Sequence, residues 1–398
     1  MEVAMKSVFD KKNSCYGCSS CTQVCPTEAI SFLQDNEGFF YPEIDQSKCI
    51  DCGMCRKACP IFKEFKAVEE NYPEIHAVWN KDESVRKSST SGGVFSALAR
   101  NILSQGGVVF GAVFDDDIKV IHEGVYAPEH LYRLQGSKYT QSLIGECYKE
   151  VRSLLKENKK VLFSGTPCQV SGLYAYLGKS NDNLYTCDCV CHGVPSPGVF
   201  ELYKQHLQKT NKSEIQSFKF RNKLKGWKNY NVSVAFKNGT DVHTNFKEDP
   251  YMIGFIKNMY LRPSCHECKY ASVQRQADIT LADFWGVEKY NPQLDDDKGT
   301  SLILANSPKG ARLLEACKEE LVIHKADLQA AVRENPSLTG PASPNRQRSK
   351  FFKHMPETDF EALHKRFLMP PSKAQLLWRK CLRIPGKLIK IVLGKNKQ

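Results

Sequence analysis

Apolar residues recur along this chain with two periods. Val108–Phe114 is a near-continuous apolar run entered through Gly106-Gly107. Val161-Leu162-Phe163 and Asn183–Val190 are shorter runs, and all three predict strands. After Val161–Phe163 the pattern turns helical through Leu177, with Gly178 as the stop, and after Asn183–Val190 a helix is expected to about Gln208. Two strand–loop–helix units in succession predict a sheet whose strand ends carry both intervening loops on one edge. Phe218–Phe246 alternates instead around Asn238-Gly239, the pattern of an antiparallel hairpin. Ile279–Phe284 and Ser301–Asn306 add two strands, so a mixed-sheet α/β body is expected. Near the start, Ala29–Leu33 and Phe39–Tyr41 flank Asp35-Asn36-Glu37-Gly38 as a short hairpin. From Ile61 to about Glu74 the chain is charged and patternless, which reads as a linker.

Cysteine changes this picture. The 398 residues include 17 of them, far more than packing needs. An odd count behind a start (Met1–Lys12) with no apolar signal core favours reduced, metal-binding thiolates over disulfides. No apolar run approaches the roughly 20 residues that cross a bilayer, so a cytoplasmic protein is expected. Eight of the cysteines form two identical runs, Cys15-x2-Cys18-x2-Cys21-x3-Cys25-Pro26 and Cys49-x2-Cys52-x2-Cys55-x3-Cys59-Pro60. A cubane cluster takes four thiolates at tetrahedral corners, and two-residue spacings let one tight loop supply three. In the paired arrangement the fourth cysteine of each run serves the other cluster. The expected sets are Cys15, Cys18, Cys21 with Cys59, and Cys49, Cys52, Cys55 with Cys25. Zinc is the competing ion, but its sites present two separated Cys-x2-Cys pairs without the repeated x2-x2-x3-Pro pattern. Residues 15–60 resemble the bacterial-type ferredoxins that hold two 4Fe-4S clusters.

A further group lies in the body. Cys168 and Cys191 sit where strands give way to helices, positions that favour thiolates. Cys265-His266-Glu267-Cys268 adds a pair. These four are candidates for a third 4Fe-4S cluster, with Cys189 as an alternative to Cys191 because strand alternation puts Cys187, Cys189 and Cys191 on one face. A redox dithiol or half a zinc site is the other explanation for Cys265 and Cys268. Cys147, Cys317 and Cys381 are read as unliganded, and Cys187 and Cys189 as more readily packed than ligating.

The ordered motifs Ser91-Gly92-Gly93-Val94-Phe95-Ser96-Ala97-Leu98, Gly136–Ser142, Gly165-Thr166-Pro167-Cys168-Gln169, Cys191–Ser196, Phe220–Lys223, Cys265–Cys268 and Asp278–Gly286 resemble the beta subunits of coenzyme F420-reducing hydrogenases and F420-dependent dehydrogenases. The resemblance covers roughly residues 75–330. Added to the ferredoxin motifs and the basic C-terminal segment, it implies an α+β chain of four regions: a ferredoxin module (1–65), an N-terminal-type body region (75–150), a C-terminal-type region (151–340) and a basic helical tail (341–398). It implies FAD, a body cluster, and oxidoreductase activity between a reduced cofactor or redox partner protein and iron–sulfur centres. Fused relatives also occur in settings such as polysaccharide biosynthesis, so a non-catalytic wiring subunit is the alternative.

No Gly-x-Gly-x-x-Gly follows a strand, so an ordinary dinucleotide site is not supported. The candidate cofactor contacts are Ser91, Gly92 and Gly93 at a helix head, Lys138 and Tyr139, Asp283, and Lys298. Asp278 is a lesser candidate for orienting a ligand or capping a loop.

The formal charge is +12, but three clusters would lower it by roughly 6. Lys373–Gln398 holds eight Lys or Arg and no acid. Such a basic amphipathic segment suits an anionic membrane surface or an acidic partner, and equally a solvated helix. No reading motif accompanies it, so nucleic acid is not expected.

Overall fold

A computed structural model describes residues 7–64 and 73–369. The core is an eight-stranded mixed sheet in the order β13-β3-β12-β11-β7-β6-β4-β5. Its strands are β3 (Glu74–Asn80), β4 (Val108–Phe114), β5 (Val120–Val125), β6 (Val161–Ser164), β7 (Leu184–Cys189), β11 (Ile279–Asp283), β12 (Ser301–Ala305) and β13 (Leu321–Lys325). The run β4, β6, β7, β11 is parallel and its flanks are antiparallel. Ser164 pairs with Cys187, and Cys187 with Ile279. This register puts the loops after β6 and β7 on one edge, as the two strand–loop–helix units predict. Helix Pro167–Leu177 starts with a capping box between Thr166 and Gln169 and ends at Gly178 in the left-handed region.

The predicted hairpin, β9 (Asn231–Phe236) and β10 (Asp241–Asn245), does not join this sheet. It pairs with β8 (Ile215–Asn222) as a separate three-stranded sheet. Phe218, Phe220, Tyr251 and Tyr260 pack beneath it with helix Pro197–Asn211. The N-terminal hairpin is β1 (Ile30–Gln34) against β2 (Phe40–Ile44).

The reading of everything after 341 as a tail needs correction. Phe351, Phe352, Phe360, Leu363 and Leu368 are buried in the same core as Phe218 and Phe220. Aromatic residues at helical spacing make Arg348–Leu368 part of the body. Most of the linker reading (residues 65–72) and the basic segment 370–398, Cys381 included, lie outside the described residues.

Candidate functional site

The two cysteine runs share one backbone device. Gly17 and Asp51 precede the second cysteine of their runs, Ser19 and Gly53 follow it, and all four have positive φ. A left-handed residue on each side of Cys18 and of Cys52 bends the loop so that three sulfurs face inward. Cys15, Cys18, Cys21 and Cys59 line one hollow. Cys25, Cys49, Cys52 and Cys55 line another. Each run thus sends its fourth cysteine to the other run's hollow. The first set is buried, whereas Cys52 is exposed.

Four thiolates cannot share such a volume alone. Burial pushes Cys18 up to about 12, with the Cys59 charge adding to it. Burial likewise lifts Cys59 to about 11. A polycationic iron–sulfide core removes that conflict, and the donor set fits it. Cys25 differs. Burial works against its thiolate, but N–H donors led by Ala29, 3.3 Å from Sγ, hold it below the ordinary value. Among the described residues no three His, Cys, Asp or Glu are arranged to hold a single metal ion.

Cys168, Cys191, Cys265 and Cys268 converge on a third hollow, together with Tyr16, Arg262, Tyr270 and Arg275. Burial raises Cys265 to about 12, and Val194 N–H donates to its Sγ at 3.3 Å. Cys191 is raised by its contact with Cys189 and by burial. Strand β7 ends at Cys189, so the alternation argument stops there. Cys191 faces the hollow, Cys189 lines a neighbouring cleft, and Cys187 is in the core. Cys147 donates to the His122 carbonyl, and Cys317 is buried among apolar residues.

A cleft of about 470 Å3 opens at the carboxyl ends of β6, β7 and β11. Cys168 and Cys191 belong to its wall as well as to the third hollow. Ser91, Gly93, Lys138, Tyr139 and Asp283 line it. Asp283 is paired with Arg221 and accepts from Trp227 Nε1 at 2.8 Å. The Arg221 guanidinium lies 4.3 Å from the Tyr230 ring centre and 5.3 Å from that of Trp285. Burial lowers Lys138 to about 7 while its Nζ donates to the Arg133 and Gln135 carbonyls. Burial takes His122 down to about 4, so the ring is neutral. Its Nε2–H donates to Ser164 O at 3.0 Å, and Nδ1 accepts from Ser142 Oγ at 2.6 Å.

Two expected contacts are not in the cleft. Lys298 points outward and pairs with Glu83 at 2.8 Å, because its loop packs by backbone: the Lys298 carbonyl accepts from Lys223 Nζ at 2.6 Å. Gly92 is glycine for packing, since a Cβ there would strike Val78 O and Ser301 Oγ. Asp278 is likewise structural, accepting from Thr186 N–H at 2.9 Å and Ser307 Oγ at 2.7 Å.

Three family descriptions match. Residues 14–62 match a 4Fe-4S dicluster domain, 75–148 the N-terminal part of the coenzyme F420 hydrogenase/dehydrogenase beta subunit, and 158–331 its C-terminal part. The chain belongs to the coenzyme F420 hydrogenase/dehydrogenase beta subunit family. Its N-terminal segment is a domain of the 4Fe-4S dicluster type. An uncharacterized protein of Methanocaldococcus jannaschii is 27% identical over 207 residues, 43% of this chain and 55% of that protein. Subunit I of an NADH-quinone oxidoreductase from Pelobacter propionicus is 42% identical over 60 residues, 13% of this chain and 32% of the subunit. The chain therefore spans about half or less of these relatives. A chain of the F420-reducing [NiFe] hydrogenase complex from Methanosarcina barkeri superposes with a TM-score of 0.42 at 17% identity, over 69% of this chain and 96% of that one. Among the described residues of this beta-subunit-family chain, no helix is long and apolar enough to cross a membrane.

Several of this family member's site residues carry no local signal. Tyr16 lines the first hollow, the third hollow and the cleft together. Its ring meets Tyr270 edge-on at 5.2 Å. Arg262 is buried between module and body, donating from Nε to Cys15 O at 2.7 Å, from Nη1 to Gln141 Oε1 at 2.8 Å and from Nη2 to Phe40 O at 3.0 Å. Arg221 falls within the Phe220–Lys223 motif, but nothing local sets it apart from the neighbouring cations Lys219 and Lys223.

Proposed function

We propose that this chain is an iron–sulfur flavoprotein oxidoreductase, exchanging electrons between a hydride carrier (coenzyme F420 or a similar one) and a redox partner protein. The reading places FAD in the cleft, one 4Fe-4S cluster on Cys168, Cys191, Cys265 and Cys268, and one in each hollow of the N-terminal module. One observation carries it: Cys168 and Cys191 line both the cleft and the third hollow, so a cleft ligand lies against the wall of the body tetrad. FAD supplies the ability to take an electron pair as hydride and release electrons singly, as clusters require.

The chain's residues divide the remaining work. Ser91 and Gly93, at the head of helix Val94–Ser104, offer a backbone approach for phosphate, and Lys138 adds a cation. Arg221, fixed by Asp283 and flanked by Tyr230 and Trp285, presents a cation and aromatic faces to a planar anionic ring. His122 holds no proton for transfer at neutral pH, because its single N–H is committed to Ser164 O; it orients the loop after β6. Tyr16 and Tyr270 fill the space between the third and first hollows and exclude water there. Exposed Cys52 puts the second hollow at the surface, where a partner can meet it.

The test is anaerobic purification followed by denaturation and identification of the released chromophore, alongside iron and sulfide analysis. Bound FAD with three clusters is expected. Full iron and sulfide without flavin would instead select a non-catalytic wiring subunit.

A further inference from the structure

Two arginines line the third hollow, and they differ in what their donors do. Arg262 commits Nε, Nη1 and Nη2 to Cys15 O, Gln141 Oε1 and Phe40 O. Arg275 is 3% exposed, yet its Nε and Nη2 are buried with no hydrogen-bond partner. Its nearest counter-ion, Asp188, is 3.8 Å away through Nη1 and Oδ2, beyond hydrogen-bond reach. Asp188 Oδ1 is likewise buried without a partner, and Asp188 borders the cleft. A guanidinium carries five N–H donors in a fixed fork, and a buried cation with unfilled donors is costly unless an acceptor meets it. The space Arg275 borders is enclosed by Cys168, Cys191, Cys265 and Cys268.

We propose that Arg275 sets the reduction potential of the body centre, donating its free N–H groups to the sulfur of the cluster held there, with Asp188 opposing it from the cleft side. This rests on the reading of the third hollow as a cluster site. Reduction adds a negative charge to the cluster. A buried cation and N–H···S hydrogen bonds stabilise that state and raise the potential, while a nearby carboxylate lowers it. The pair spans the wall between cleft and hollow, so Arg275 makes the body centre the better acceptor for electrons leaving the cleft. Arg275 is a positioning and tuning residue and ligates nothing.

The experiment is a mediated redox titration of the anaerobically purified full chain, followed by electron paramagnetic resonance, for wild type, R275Q, R275K and D188N. The two centres of the N-terminal module serve as internal references. In R275Q the reduced-to-oxidised ratio of the body centre at the wild-type midpoint falls at least tenfold, which is about 59 mV for a one-electron couple. R275K, keeping the charge and losing the fork, falls less. D188N moves the opposite way, and the reference centres stay put in all three. An R275Q body centre titrating with wild type, at full iron and sulfide, overturns the proposal. If R275Q fails to retain that centre, R275K decides alone: a downward shift supports the proposal and coincidence with wild type ends it. Failure of the underlying reading looks different. Wild-type iron and sulfide would then be unchanged by C265A, and no third signal would exist to shift.

Discussion

Gly172 abuts Cys18. A Cβ placed on Gly172 would lie 2.9 Å from the Cys18 Cβ and Sγ and 2.9 Å from the Tyr148 hydroxyl. Gly172 is on the helix that begins Pro167-Cys168, so one helix presents a body cysteine at its head and lets the N-terminal module approach one turn later. The absence of a side chain brings the first and third hollows together.

G172A should therefore separate the two. An added methyl in a filled space costs about 1–3 kcal/mol and is relieved by displacing the loop of Cys18. The expected outcome is a moderate loss of stability with slower electron transfer between body and module. Spin coupling between the two centres, read in the reduced protein, should weaken. A variant with wild-type stability and unchanged coupling would show that the contact can be absorbed elsewhere.

Arg262 holds the same junction from the other side. Replacing it with Ala strands the buried Cys15 and Phe40 carbonyls and the Gln141 amide, a loss of about 3 kcal/mol. Limited proteolysis should then release the N-terminal module. R262K, with one point-like donor in place of a fork, should rescue only partly. Protease resistance equal to wild type in R262A would mean that other contacts carry the junction.

These long-range contacts mark the limit of what the sequence makes legible. Cys15, Cys18 and Cys21 are readable because their geometry is local: two intervening residues, one of them left-handed, aim the next sulfur. Cys168 and Cys191 are readable because strand–loop–helix units put loops on a common edge. Arg262 reaches across 247 positions to Cys15 O, and no periodicity encodes that. Lys298 misleads because a Lys-Gly-Thr loop has the composition of a phosphate contact whichever way its side chain points. Arg348–Leu368 misleads because basic residues conceal the buried Phe351, Phe352 and Phe367.

Crossed wiring of the two runs gives a sharp mutational signature. Cys59 lines the hollow of Cys15, Cys18 and Cys21, while Cys25 lines that of Cys49, Cys52 and Cys55. C59S should perturb the buried centre near the body, and C25S the surface centre near exposed Cys52. Spectroscopic titration of each variant distinguishes them, because the first hollow shares Tyr16 with the body hollow and the second does not. Each serine disturbing the centre of its own run would refute the crossed assignment.

Lys138 predicts how anion binding in the cleft depends on pH. Burial brings its pKa to about 7, while two carbonyls hold the ammonium in place. An anion binds the protonated form, and in the complex that anion raises the pKa. Affinity is therefore full below about pH 7. It weakens by up to tenfold per pH unit above that, until the pKa of the complex is reached. Isothermal titration of FAD or inorganic pyrophosphate against flavin-depleted protein between roughly pH 6 and 9 reads the slope. K138Q should bind weakly with little slope, whereas K138R, charged throughout, should bind with little slope and without the weakness. A wild-type affinity level across that range, or a K138Q slope matching it, would remove Lys138 from the binding site and leave Arg221 as the cation the ligand meets.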